Sequence, residues 1–182
     1  MKINLESLLV GNGWFDPVVG YEAFYNFTVS PSNTYDLTLN ESVSKQMYDD
    51  LYGPNGCKAR LQKECSKPTG NYTACVQADN FCSDKIESVM DNNLFRDDHD
   101  IHDLSPVSFS YNVCVNYLNA PKVQEALGAF TNYSDYSYIV GNAFGRTGDD
   151  GCEVNAVDDL GLLLKQAVTV ALYAGNADFI CN

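Results

Sequence analysis

The fold of this chain is decided by residues 168–182, Val-Thr-Val-Ala-Leu-Tyr-Ala-Gly-Asn-Ala-Asp-Phe-Ile-Cys-Asn. Residues 168–173 are an apolar, β-branched run of the kind that predicts a buried strand. Gly175 and Asn176 then indicate a turn, and Asp178 follows on the loop. Three roles are open for Asp178: the acid of a catalytic triad, a residue that caps its own loop, or a solvated surface acid.

The pattern Tyr-x-Gly-x-x-Asp-Phe-x-Cys-Asn, residues 173–182, closely resembles the segment around the catalytic aspartate of the serine carboxypeptidases. That resemblance implies an α/β-hydrolase fold, in which the triad follows the chain order nucleophile, acid, histidine. It also implies that Asp178 is the triad acid, which holds the histidine in the productive tautomer and stabilises the imidazolium.

The other two members of such a triad have no counterpart in this sequence. The nucleophile requires a Gly-x-Ser-x-Gly turn, and no serine here has that pair of glycines. Both histidines, His99 and His102, precede Asp178, whereas the triad order requires a histidine after it. We therefore expect an internal piece of a serine carboxypeptidase, which removes C-terminal residues through an acyl-enzyme, and we expect this piece to be inactive alone.

Composition restricts the class of protein. With 182 residues, of which 45% are hydrophobic, the chain can bury a core of ordinary domain size. Its 24 acidic and 11 basic residues give a net charge of −13, which repels nucleic acid and anionic membranes. No apolar run reaches the roughly 18 residues of a membrane span. We expect peptide or protein C-termini as partners, no nucleic acid, no membrane, and no metal or other cofactor.

Cysteines and glycosylation signals indicate the secretory pathway. Seven cysteines exceed cytosolic usage and favour an oxidising compartment. Four Asn-x-Ser/Thr sequons, at Asn26, Asn40, Asn71 and Asn132, predict N-linked glycans. Residues 1–5 lack the apolar stretch of a signal peptide, so we expect any such segment further upstream. The expected location is extracellular or vacuolar.

The apolar run at residues 5–10 ends at Gly11-Asn12-Gly13 and predicts a second strand that opens onto a cleft. Well over a hundred residues separate the two predicted core strands, so the insertion between them should fold as a large, mainly helical, disulfide-stapled cap. The predicted organisation is a core strand and turn at residues 1–13, the cap at 14–150, and a return to the hydrolase core at 151–182. A helix that leads into a parallel strand is the α/β crossover unit.

Apolar spacing predicts four helices. They lie at residues 41–51, 78–94, 121–128 and 157–166. Pro121 in the first turn and Gly128 at the end set the bounds of the third helix.

Four cysteines, Cys57, Cys65, Cys75 and Cys82, lie in a segment with two Pro-x-Gly turns and predict a stapled loop. A zinc site is disfavoured because the segment has no Cys-x-x-Cys pair. Sequence alone leaves three connectivities. The resemblance to the carboxypeptidases implies the nested pairs Cys57–Cys82 and Cys65–Cys75. The pairing of Cys114 and Cys152 stays open.

The resemblance also implies a pocket for the residue before the scissile bond. Its walls would be Trp14, Tyr21, Phe24, Ile180 and Cys181, the last as a free thiol. On the residues alone, the aromatic side chains are equally consistent with core, and the cysteine with a buried inert side chain. Apolar walls would favour bulky hydrophobic side chains in the substrate.

Residues 96–103, Arg-Asp-Asp-His-Asp-Ile-His-Asp, have two further interpretations. They could form a solvated acidic loop, or a His-x-x-His site for a divalent metal. The resemblance implies instead that His99 lies near the leaving-group pocket. Two alternative functions remain: a non-catalytic secreted glycoprotein or peptide-binding module with the same fold, and a metal-dependent hydrolase that uses His99 and His102.

Overall fold

A computed structural model describes residues 4–29, 37, 39–65, 72–104, 111–147 and 156–181. Two strands and nine α-helices are present in these ranges. In chain order they are β1 (Ser7–Gly11), α1 (Pro17–Val29), α2 (Glu41–Tyr52), α3 (Cys57–Glu64), α4 (Tyr72–Cys82), a π-helical turn (Ser83–Glu87), α5 (Val89–Asn93), α6 (Tyr111–Leu118), α7 (Pro121–Leu127), α8 (Tyr138–Thr147), α9 (Ala156–Lys165) and β2 (Thr169–Tyr173).

The two strands pair in parallel, although they lie at opposite ends of the chain. The register runs from Ser7 opposite Thr169 to Gly11 opposite Tyr173. Helix α9 leads into β2 as the sequence predicts. Both strands were expected to be buried, and this is wrong for the described residues: Leu9 is 67% exposed and Leu172 is 52% exposed. Parallel strands are buried only where further elements cover both faces of the sheet, and little in the described ranges covers this pair.

The hydrophobic core lies among helices α1 to α5 and not around the sheet. Its fully buried side chains come from several helices, from the segment after α5 that contains Ile101, and from the loop after β2 that contains Phe179. They include Phe24, Met47, Leu51, Leu61, Ile86, Met90, Ile101 and Phe179, none of them more than 2% exposed. Phe179 places the loop after β2 directly in this helical core.

Two disulfides staple the core. Cys57 pairs with Cys82 and Cys65 pairs with Cys75, which confirms the pairing implied by the resemblance. The loop predicted for this segment is wrong for the described residues 57–64 and 72–82, which form helices α3 and α4. Arg60 on α3 also lies over the ring of Phe81 on α4, 4.0 Å from its centroid.

Helices α2, α7 and α9 confirm three of the predicted helices. Asn40 accepts a hydrogen bond of 2.9 Å from the backbone N–H of Ser42 and so begins α2, and Gly128 ends α7 with a left-handed φ of 65°. The helix expected at 78–94 begins earlier, at Tyr72, and is interrupted by the π-helical turn. Helices α1, α3, α6 and α8 were not predicted.

Candidate active site

Asp178 lies on the loop after β2 and is 9% exposed. One carboxylate oxygen, Oδ1, accepts a hydrogen bond of 2.9 Å from the backbone N–H of Cys181. The other, Oδ2, accepts a hydrogen bond from Nδ2 of Asn12. The surface-acid interpretation is therefore wrong, whereas the loop-capping contact is present. A buried carboxylate with both oxygens bonded has one defined orientation.

Asn12 is a site residue that the sequence analysis did not identify. It directly follows β1, where its backbone N–H donates to the carbonyl oxygen of Tyr173 at 2.8 Å. Its φ of 50° lies in the left-handed region, which asparagine tolerates better than most residues. The only signal in the sequence was the turn Gly11-Asn12-Gly13, which indicates backbone geometry and not a side-chain role.

The loop that carries Asp178 is anchored on residues 97–104. The carbonyl oxygen of Asp98 accepts hydrogen bonds from the backbone N–H groups of Phe179 (2.9 Å) and Ile180 (3.1 Å). In the opposite direction, the N–H of Ile101 donates to the carbonyl of Ala177 at 3.0 Å. Because Ile101 is also 2% exposed, this supporting loop is itself fixed in the core.

The two histidines of this supporting loop point to different carboxylates. Nδ1 of His99 lies 2.6 Å from Oδ1 of Asp98, and Nδ1 of His102 lies 2.6 Å from Oδ1 of Asp100. The side chains of Asp97, Asp98 and His99 lie near enough together to hold an ion. Two of them already have partners within the loop, because Oδ1 of Asp97 accepts hydrogen bonds from the backbone N–H groups of His99 and Asp100, and Asp98 contacts His99. A site built from both histidines is therefore not what the structure forms.

Two cavities lie beside the loop of Asp178. One has a volume of about 280 Å³ and walls that include Trp14, Phe24, Leu172, Ile180 and Cys181. The other, of about 370 Å³, is lined by Trp14, Tyr21, Phe24, Asp79, Glu87, Ile180 and Cys181. The five residues predicted to form the pocket wall are thus brought together. His99 does not line either cavity; its side chain is 70% exposed.

The larger cavity combines aromatic walls with two carboxylates. Trp14 lies 5.4 Å from Tyr21 and 5.5 Å from Phe24 between ring centroids. The hydroxyl of Tyr21 donates to Oδ1 of Asp79 at 2.9 Å. Glu87 reaches the cavity from the end of the π-helical turn, a distortion that often accompanies functional sites. Neither acid belongs to a recognisable sequence motif, so the sequence alone did not indicate them.

Cys181 has a free, half-buried thiol at the boundary of both cavities. Burial raises the pKa of this thiol, and the negative charges of Asp178, Asp98 and Glu87 raise it further. Cys114 is also free, but it is exposed. Cys152 lies outside the described residues, and Cys114 forms no disulfide with any described cysteine.

Of the four predicted glycosylation sites, Asn26, Asn40 and Asn132 are exposed. Asn71 lies outside the described residues. These three side chains are accessible for glycan attachment.

The chain belongs to the serine carboxypeptidase family, whose sequence profile matches residues 1–182. Membership in this family implies the α/β-hydrolase fold. Among its relatives, Carboxypeptidase S1 of Penicillium janthinellum is 31% identical over 181 residues, which cover 100% of this chain and 41% of the relative. Carboxypeptidase Y homolog A of Pyricularia oryzae is 30% identical over 190 residues (100% and 32%), and Carboxypeptidase Y of Schizosaccharomyces pombe is 29% identical over 184 residues (99% and 18%). The chain thus spans less than half the length of these relatives.

Proposed function

We propose that this chain is part of a serine-type carboxypeptidase and that Asp178 is its triad acid. The observation that carries the proposal is the geometry of Asp178. It is a buried carboxylate on the loop after a parallel strand and is held at both oxygens, and Ile180 and Cys181 of the same loop line a cavity. The serine, the histidine and the oxyanion-hole donors would come from the remainder of the enzyme.

Asp178 would act on the histidine. A hydrogen bond from the imidazole to the carboxylate selects the tautomer whose other nitrogen can accept the serine proton, and the negative charge stabilises the imidazolium that results. The serine would attack the carbonyl of the last peptide bond, releasing the C-terminal residue and leaving an acyl-enzyme that water hydrolyses.

The domain organisation follows the same proposal. Residues 1–13 and 151–182 would belong to the hydrolase core, and residues 14–150 would form the cap. Both parts expose apolar side chains on which the remainder of the enzyme would pack. The parallel strand pair does so in the hydrolase core, and helices α6 to α8 with the segment between α7 and α8 do so in the cap. Phe130, for example, is 102% exposed and Ile139 is 85% exposed. Large exposed apolar patches mark surfaces on which other elements pack.

The larger cavity would hold the substrate side chain before the scissile bond. Its aromatic walls accept bulky apolar side chains, as the sequence predicts. Asp79 and Glu87 add a preference for a lysine or arginine side chain, because such a side chain buries its methylene stem on the rings and pairs its charged end with the carboxylates. An acidic substrate side chain would be disfavoured.

We further propose that the enzyme enters the secretory pathway and carries N-linked glycans, as its sequons and disulfides suggest. Peptide or protein C-termini would be its partners. In the ranges that the structure describes, no helix is both long enough and apolar enough to cross a bilayer.

The proposal is tested by comparing this 182-residue chain with the longer protein that contains it. The substrate is the blocked dipeptide benzyloxycarbonyl-Phe-Leu, and released leucine is measured. The longer protein should release leucine and lose that activity with a serine-directed organophosphorus reagent, whereas the chain alone should match an Asp178→Asn control of the same length. Absence of activity in the longer protein would favour a non-catalytic peptide-binding module with this fold.

A further inference from the structure

We infer that Asn12 is a positioning residue for Asp178 and fixes the orientation of the catalytic carboxylate through its side-chain amide. The inference rests on the proposed function, since it needs Asp178 to act on a histidine. It assigns a specific task to a residue that no catalytic motif includes.

The backbone holds Asn12 at a junction of the two strands. Its N–H donates to Tyr173, the last residue of β2, so the turn after β1 is tied to the start of the loop that carries Asp178. Its left-handed φ of 50° directs the chain away from the strand at this point. Glycine adopts this conformation most easily, followed by asparagine and aspartate, whose short polar side chains can form local hydrogen bonds.

Among those three residues, only asparagine also supplies a donor. Nδ2 donates to Oδ2 of Asp178 and lies 3.4 Å from the carbonyl oxygen of Cys181, so its two hydrogens serve two acceptors on the same loop. Glycine would keep the turn without the donor. Aspartate would keep the turn and the shape, but would place a second carboxylate against the first.

The consequence for catalysis is orientation. The N–H of Cys181 binds Oδ1 of Asp178 and Asn12 binds Oδ2, so the carboxylate cannot rotate about its χ2 axis without breaking one of these bonds. Catalytic groups must be held within roughly 0.5 Å and 10–20° of the productive geometry. Without Asn12, the carboxylate would still be present but would spend less time facing the histidine.

The test uses the longer enzyme with two substitutions, Asn12→Asp and Asn12→Gly, and the control Asn176→Asp. Asn176 is exposed on the same loop, so the control introduces the same charge near Asp178 without replacing the donor. Replacing a residue that orients a metal-binding side chain by a hydrogen bond typically costs about 10–100-fold in activity, and we expect a similar cost where the oriented group is a catalytic carboxylate. We expect kcat to fall about tenfold for Asn12→Gly and about a hundredfold for Asn12→Asp, with KM within about threefold of the parent value.

A second readout separates positioning from folding. The rate at which an organophosphorus reagent modifies the serine nucleophile should fall in parallel with kcat, and the thermal midpoint of Asn12→Gly should stay near that of the parent. The inference is overturned if both Asn12 variants keep kcat within twofold, or if only KM changes. It is also overturned if the loss of activity equals the fraction of unfolded protein.

The two failures can be told apart. If the parent enzyme is active and Asp178→Asn is inactive while the Asn12 variants are normal, only the inference about Asn12 is wrong. If the parent enzyme releases no C-terminal residue, the proposed function is wrong and the role of Asn12 falls with it.

Discussion

Replacing Phe179 by alanine should detach the loop of the catalytic acid from the helical core. Phe179 directly follows Asp178 and is fully buried. Its ring stacks on Phe24 at 4.7 Å and meets Phe27 edge-on at 5.9 Å between centroids. Both ring partners lie on α1, so the substitution removes a hydrophobic anchor between that helix and the loop of the acid.

The size of the effect follows from this burial. Truncating a fully buried phenylalanine to alanine lowers the free energy of unfolding by about 3–5 kcal/mol, which includes the cavity that is left. Offset-stacked and edge-on aromatic pairs contribute about 0.5–1.5 kcal/mol beyond area burial, which places Phe179 towards the upper end of that range. Because whole domains are stable by only about 5–15 kcal/mol, we expect a large loss.

The measurement is urea denaturation of the longer protein followed by circular dichroism, together with amide hydrogen exchange of residues 177–181. Phe179→Ala should lower the free energy of unfolding by about 4–5 kcal/mol and speed amide exchange in this loop. Phe179→Leu keeps most of the volume and should lose less than about 1.5 kcal/mol. Asn176→Ala, an exposed change on the same loop, should stay within about 0.5 kcal/mol.

If Phe179→Ala lowered the free energy of unfolding by less than about 1 kcal/mol, this account of how the loop is held would be refuted, because truncating a fully buried phenylalanine normally costs about 3–5 kcal/mol. Unchanged exchange at residues 177–181 would refute it as well. In that case the backbone hydrogen bonds to Asp98 would be the main support.

Two further predictions concern the thiols and the acidic cavity. The four disulfide cysteines should resist alkylation until they are reduced. Cys181 should react more slowly than Cys114 at neutral pH, because burial and nearby carboxylates raise the pKa of Cys181 and only the thiolate reacts. A pH profile of alkylation with a lower midpoint for Cys181 than for Cys114 would contradict this prediction. In the longer enzyme, Glu87→Gln should lower kcat/KM for benzyloxycarbonyl-Lys-Leu about tenfold and leave kcat/KM for benzyloxycarbonyl-Phe-Leu within about twofold of the parent value. The exposed control Asp84→Asn should change neither value. Equal effects of both variants on the lysine substrate would show that Glu87 does not face the lysine side chain.

The features that sequence predicted well are those encoded locally. An apolar run followed by a glycine turn defined β2 and its acidic loop, and the Pro121 and Gly128 signals set the ends of α7. By contrast, helix α1 was missed because apolar residues surround most of its circumference, so that no single face stands out. The cysteine segment was predicted as a loop because Pro-x-Gly turn signals flank the short helix α3 on both sides.

The contacts that define the site were beyond local patterns. Asn12 and Asp178 are 166 residues apart, and their hydrogen bond exists only because β1 and β2 are neighbours in the sheet. The support from Asp98 uses a backbone carbonyl, which any residue has, so no side-chain pattern could indicate it. Of the two acids of the larger cavity, Glu87 is placed there by the π-helical turn, which no periodicity predicted.

The central claim is tested most directly by kcat/KM of Asp178→Asn in the longer enzyme with benzyloxycarbonyl-Phe-Leu. The substitution is nearly isosteric, but an amide neither stabilises imidazolium nor selects the productive tautomer, so kcat/KM should fall by about 10⁴-fold without loss of fold. The control Asp98→Asn changes a nearby carboxylate outside the triad and should stay within about tenfold. An Asp178→Asn enzyme that works like the parent, or a control that is inactive in its place, would contradict the assignment of Asp178 as the triad acid.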